Sequence, residues 1–295
     1  MGPSLEEADL RALEAVVERA LADDDDSALT VLGYGEVSVA LGWPVEDPEW
    51  VCKRTPPFTR TQFSEYRSLV FEYIQELTTA GLRVADTAIM GLERGPDEVI
   101  AYLVQPLLDA ETLGHNILRV SEPDADHPFL AALFDTLDVV TATCSLDAQA
   151  GNFGWDGSNL TLVDVGTPFL WDRDGNGRFD MVPFARMLPA PLRPVAIREL
   201  TKLVTRWNDP RRVGLDVIAN LYRDGLPEWV DPAVVALNRK LESSHPAVTA
   251  DDARALYEED LKIWPLLKKA QRVERWWQNS VRRRSYDWFI RSSFD

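Results

Sequence analysis

Cysteine is nearly absent: Cys52 and Cys144 are the only two in 295 residues, both in apolar contexts. Two thiols cannot staple a chain of this size, so a disulfide scaffold is excluded and a reducing compartment, the cytoplasm, is expected. Histidine is almost as scarce. His115, His127 and His245 are dispersed without metal-ligand spacing, which argues against a zinc site and against a Ser-His-Asp hydrolase. No apolar run is long enough to span a bilayer, and nothing resembles a secretory signal. Met1-Gly2 opens the chain, but Glu6 stands where an acylation motif wants Ser or Thr. Positive charge is also short, with 31 Lys and Arg against 48 Asp and Glu and a formal net charge of −17. That balance repels a polyanion over most of the surface and excludes nucleic acid as a bulk partner.

What is present is a segment with chemistry in it, SLDAQAGNFGWDGSNLTLVDVG at 145–166. Asp147 precedes Asn152 by four intervening residues, and a short hairpin-like run leads to Asp164 in the triplet Asp164-Val165-Gly166. A carboxylate on a tight loop can orient and deprotonate an attacking hydroxyl, while an Asn oxygen and a second carboxylate can hold magnesium against phosphates. Upstream, Gly33 and Gly35 bracket Tyr34 between two β-rich runs. The pattern suits a hairpin whose backbone N–H groups approach phosphates without Cβ interference. A third strand carries Lys53 after the apolar run Trp50-Val51-Cys52, and a charged head on a buried strand needs an anionic partner.

In this order of glycine loop, strand lysine, helix, hinge, catalytic loop and metal aspartate, residues 29 to 170 resemble the protein-kinase-like superfamily. Within it they resemble the small-molecule branch typified by aminoglycoside phosphotransferases and choline kinases. The resemblance implies an α+β, bilobal fold, with a small antiparallel-sheet N-lobe over 1–106 and a mainly helical C-lobe over 107–295. It implies ATP and magnesium as cofactors and a small hydroxylated molecule as substrate. Lys53 is then the phosphate contact, Asp147 the catalytic base, Asn152 and Asp164 the magnesium ligands, and Gly33, Tyr34 and Gly35 the nucleotide lid. The Gln105-Pro106-Leu107 segment is the hinge whose backbone groups at Gln105 and Leu107 meet adenine. Glu72, nineteen positions after Lys53 and mid-helix, is favoured over Glu65 as the partner of Lys53. The sequence departs from the family pattern at Ser145, where relatives place His, at Ser38 in place of a third loop glycine, and at Val165. No A-P-E element follows, Pro189-Ala190-Pro191 being a poor substitute. Two alternatives stay open: a pseudokinase binding nucleotide or protein, and a transferase of AMP on the same fold.

The remaining signals are local. The pattern predicts an N-terminal helix over about 4–22 with Ser4 and Glu7 as a capping box. Strands are predicted near 28–33, 36–43, 49–54, 86–93 and 98–105, and a helix near 60–80 closed by Gly81. The lobe beyond is predicted as a helix near 127–143, short strands near 152–155 and 160–164, then helices. Asp209-Pro210 and Asp231-Pro232 read as caps followed by helix starts, and a long terminal helix begins at Thr249 and bends at Pro265. Asp23 to Asp26 read as a solvated linker. The run DRDGNGRFD at 172–180 imitates a calcium loop, but Pro183 stands where the twelfth-position Glu belongs, and a hairpin turn between strands explains the same letters. The stretch KKAQRVERWWQNSVRRRSYDWFIR at 268–291 mixes basic and aromatic residues. It reads either as an anion- or RNA-binding surface or as a terminal helix packed on its lobe with cations neutralising acidic neighbours.

Overall fold

The computed structural model describes residues 5–35, 38–241 and 245–290. Helix α1, Glu7–Asp23, comes first, held by a reciprocal bond pair between Glu6 and Asp9. Ser4, the expected cap, lies outside the described residues, as does Arg291. Strands β1 (Thr30–Tyr34), β2 (Val39–Trp43) and β3 (Trp50–Thr59) lead to helix α2 (Arg60–Thr79), whose Thr59 cap accepts the amide of Gln62. Strands β4 (Arg83–Val84), β5 (Ala88–Glu93) and β6 (Glu98–Pro106) follow. Five of these form one antiparallel sheet in the order β1-β2-β3-β6-β5.

β3 runs farther than the sequence suggests. Pro56 and Pro57 cannot donate to the ladder, but a register shift between Arg54 and Pro57 absorbs them, and pairing with β6 resumes through Thr59. Alternation then assigns two faces. Cys52, Tyr102, Val104, Ile100, Val39 and Leu41 pack against Leu10, Leu13 and Val17 of α1. Ala101, Leu103, Ile89 and Phe58 pack against Tyr66, Val70, Tyr73 and Leu77 of α2. The apolar stripe of α2 at Tyr66, Val70, Tyr73 and Leu77 is therefore its buried side.

After the sheet come α3 (Gly114–Val120), which the sequence reading missed, and α4 (Pro128–Asp135) continued by a 3-10 turn to Val139. The short strands β7 (Phe153–Trp155) and β8 (Leu160–Leu162) join β4 in a second, three-stranded sheet. Helices α5 (Val182–Ala185), α6 (Arg193–Val204), α7 (Pro210–Arg223), α8 (Val230–Leu241) and α9 (Ala250–Trp276) complete the chain. The whole is α+β, an antiparallel sheet in the N-terminal part and helices in the C-terminal part.

Asp209 caps α7 as read, its side chain accepting the Arg211 amide. Asp231 is no cap: a 3-10 turn at Pro227–Trp229 runs directly into α8, leaving Asp231 in its first turn. Thr249 and Asp252 form the capping box of α9, which continues through Pro265. A π-helical turn at Trp277–Arg282 and a left-handed Arg283 (φ 53°) then reverse the chain, sending it back along the N-terminal sheet. Arg94 grips Asp287 at 2.5 and 2.9 Å, and Arg54 donates to the Asp287 carbonyl at 2.9 Å. Arg54 is itself buried, held by Glu14 at 2.7 and 2.8 Å, with the Tyr102 hydroxyl donating to the same carboxylate at 2.6 Å. Tyr286, Trp288 and Phe289 thus pack against the body of the protein, whereas Trp276, Trp277 and Arg282 to Arg284 stay exposed. Arg275 pairs with Asp24, and Asp26 accepts from Tyr34, so the aspartate run is engaged rather than merely solvated.

Candidate functional site

Lys53 sits mid-strand in β3, and its cross-strand neighbours are Ala40 on one side and Leu103 on the other, with Gly33 and Ile89 beyond. Directly opposed residues share a face, so this row lies on the α2 side of the sheet. From there the Lys53 ammonium meets the carboxylate of Asp164, just after β8, although the two are 111 positions apart. The second Asp164 oxygen accepts the Gly166 amide at 3.0 Å, and the Tyr66 hydroxyl of α2 holds the Gly166 carbonyl at 2.8 Å. Burial pushes the Asp164 carboxyl up, but the adjacent ammonium outweighs it and holds the group below the usual carboxylate range.

Asp147 occupies a loop fixed from behind. Tyr73 donates to the Ser145 carbonyl at 2.9 Å, and the Ser145 amide donates to Phe169 at 3.0 Å. Gln149 approaches the Asp147 carboxylate through its amide at 3.3 Å and its side chain at 3.1 Å. Asn152 spends its Nδ2 on the Asp147 carbonyl at 3.2 Å, which leaves Oδ1 as the oxygen free to face a cation. Burial first, then the negative charges of Asp216 and Asp164, push the Asp147 carboxyl up to about 7. A carboxyl titrating there is poised to exchange a proton near neutral pH.

The donor set fits magnesium. That ion takes hard oxygens and commonly uses only one or two carboxylates, completing its shell with water and phosphate. Asp164 and the Asn152 Oδ1 have that character, whereas no group of three His, Cys, Asp or Glu among the described residues forms a metal cage.

Other expected residues fall elsewhere. Glu72 does not reach Lys53; its carboxylate is gripped by both Arg178 nitrogens at 2.5 and 2.7 Å, so the proposed Lys53 partner is replaced by Asp164. Tyr34 pairs with Val39 on the α1 face, its ring edge-on to Phe289 at 6.5 Å, and so points away from the Lys53 row. Gly35 closes the hairpin, its amide bonded to Ser38 at 2.9 Å, and an added Cβ would come within 3.0 Å of the Ser38 hydroxyl. Only Gly33 of the expected lid shares the lysine's face, and a Cβ there would meet open space. At the expected hinge the Leu107 amide already donates to Glu49 at 2.9 Å, and Gln105 is buried with its side chain on Thr87 at 2.8 Å. The flanks of the 172–180 turn make single bridges, Cys144 to Leu170 and Trp171 to Gly177, in place of strands. The Asp172 carboxylate there accepts the amides of Asp174 and Asn176, both at 2.9 Å, as in an aspartate turn.

Asp216 is the residue the sequence reading passed over. It lies on α7, and Asn220 one turn later donates to its carboxylate at 3.0 Å and to its carbonyl at 2.9 Å. Two polar residues at helical spacing inside the apolar run VGLDVIANL were the available signal.

A model of one protein family matches residues 12–275. The chain belongs to DUF6206, a family of unknown function. A search of curated proteins finds no match to this DUF6206 member. Among solved structures, one described as the GDP and kanamycin complex of APH(2")-IIia covers 78% of this chain and 98% of that chain, at 12% identity and a TM-score of 0.35. Among the described residues no helix is long and apolar enough to cross a membrane.

Proposed function

We propose that this DUF6206 protein is an ATP- and magnesium-dependent phosphotransferase acting on a hydroxyl of a small molecule. The observation that carries the reading is the ion pair joining Lys53 of the sheet to Asp164, with the raised carboxyl of Asp147 beside it. In this reading Asp164 and the Asn152 Oδ1 hold magnesium, and Lys53 contacts the phosphates. The nucleotide would supply the phosphoryl group, and magnesium with Lys53 the charge neutralisation that transfer requires. Asp147 orients the acceptor hydroxyl and takes its proton, and Gln149 fixes the carboxylate that does so. The division into an N-terminal lobe over 1–106 and a C-terminal lobe over 107–295 is part of the same proposal, as is a cytoplasmic location, which two free buried cysteines suit.

A second reading, a nucleotide-binding pseudokinase, is favoured by one observation. Glu72 is committed to Arg178, and Lys53 takes its carboxylate from Asp164 instead of from α2. Thermal melts with and without ATP and magnesium address binding: the wild type gains stability, and Asp164→Ala loses the magnesium-dependent part. A screen of sugars, amino alcohols, aminoglycosides and nucleosides for ADP release addresses transfer. Turnover that collapses in Asp147→Asn supports the enzyme; binding without turnover supports the pseudokinase; pyrophosphate released in place of ADP means transfer of AMP. Absence of any magnesium-dependent shift in the wild type overturns both.

A further inference from the structure

A cavity of about 490 Å³ lies where the reversed C-terminal segment crosses between the N-terminal sheet and the helical part, apart from Lys53, Asp147 and Asp164. Its walls hold five arginines, Arg94, Arg186, Arg193, Arg282 and Arg284, against the three carboxylates of Glu18, Glu98 and Asp287. That local excess of positive charge stands in a chain whose formal net charge is −17.

Two of these carboxylates are used, and Glu18 is exposed. Arg94 takes both Glu98 and Asp287, and Arg193 pairs with Glu274 at 3.0 Å. Arg186 donates only to neutral oxygens, the Pro57 carbonyl at 3.2 Å and the Gln62 amide at 3.3 Å. Arg282 and Arg284 are exposed and have no carboxylate partner among the described residues. Three guanidinium groups around one concavity repel one another, and an anion offering several oxygens relieves that repulsion while accepting their forked N–H donors. The Trp288 ring adds an apolar wall against Tyr286, at 5.2 Å between centroids, and its buried indole N–H has no acceptor among the described residues. The volume falls in the range of small-ligand sites.

From these features we infer that the cavity is a binding site for a small phosphate-bearing molecule, held by Arg186, Arg282 and Arg284. Elements from both ends of the chain line it, so an occupant there bridges the sheet to the C-terminal segment. The concave shape and the acidic remainder of the surface favour a small anion over a polynucleotide strand.

The test is calorimetric titration of the full chain, in EDTA to keep the magnesium site silent, with inorganic phosphate and with glycerol phosphate as probes. Wild type should bind at least one of them. Arg282→Gln with Arg284→Gln, two exposed changes that remove no ion pair among the described residues, should weaken binding by about tenfold or more, as loss of charge-assisted hydrogen bonds implies. Asp164→Ala should bind as wild type does. Tighter binding of glycerol phosphate assigns the site to a phosphomonoester, and equal binding assigns it to free phosphate. The inference is overturned if neither probe binds, if the double variant binds unchanged, if Asp164→Ala abolishes binding, or if a single-stranded oligonucleotide displaces the probe from the same arginines.

Discussion

Asp147→Asn tests the electrostatics of the site without a substrate. The Asp147 carboxyl titrates at about 7 in the fold against an ordinary 3.8, mainly because burial disfavours its charge and Asp216 and Asp164 add repulsion. A folded value above the unfolded one means that the native state binds the proton more tightly. The stability this contributes is complete below about pH 4, is lost as pH rises, and is gone above about 7. At about 1.4 kcal/mol per pH decade the ionised carboxylate costs the fold at most roughly 4 kcal/mol at pH 8, and roughly 2 kcal/mol at pH 5.5. Asn removes the charge and keeps an oxygen for Gln149. The advantage of the variant over wild type should therefore widen by about 2 kcal/mol between pH 5.5 and pH 8, a growth in the melting-temperature difference of about 3 °C for a chain of 295 residues. The assay is thermal unfolding of both proteins across that range, in EDTA and without nucleotide. A difference that stays constant with pH, or a variant less stable than wild type at pH 8, refutes the account of Asp147 as a buried carboxyl under repulsion.

Two other perturbations probe the ion pairs. Glu14→Ala leaves the buried Arg54 only the more distant Asp287 carboxylate, at 3.9 Å, and Tyr102 without its acceptor, so urea unfolding should show a loss of about 3 kcal/mol; a loss under about 1 kcal/mol would mean that water reaches Arg54 or that Asp287 closes onto it. Glu72→Gln breaks only an exposed pair with Arg178, and the same measurement should show less than about 1 kcal/mol, whereas a large loss would mean that Glu72 supports the lysine after all.

Much of the N-terminal part was legible because its signals are short in range. Alternation marks β1, β2, β5 and β6, and the apolar stripe of Tyr66, Val70, Tyr73 and Leu77 marks the buried side of α2. Lys53 was legible as a cation in need of an anion, because a charge on an interior strand is costly whatever follows it. Which anion it meets was not legible. Glu65, Glu72 and Glu76 look alike along the helix, and the choice was made by the turn at 172–180, which delivers Arg178 to Glu72 across 106 positions. β3 was read short because two prolines normally end a strand, and a bulge that absorbs them depends on the partner strand's register. The return of the C-terminal segment depends likewise on Asp287 finding Arg94 and Arg54, a match visible only once the sheet exists.

These long-range choices share a physical cause. A carboxylate or guanidinium in this chain has many local partners of opposite sign at the surface, each worth little, and few sites where desolvation makes a pairing decisive. Arg54 with Glu14, and Lys53 with Asp164, are of the second kind, and each bridges distant parts of the sequence. The first pair ties α1 and the C-terminal segment to the back of the sheet; the second ties its front to the loop beyond β8. The sheet is thus held on both faces by ion pairs, the Arg54 one buried and the Lys53 one partly buried. Asp147 differs from them in having no cation of its own among the described residues, and that is why its carboxyl is driven toward neutrality.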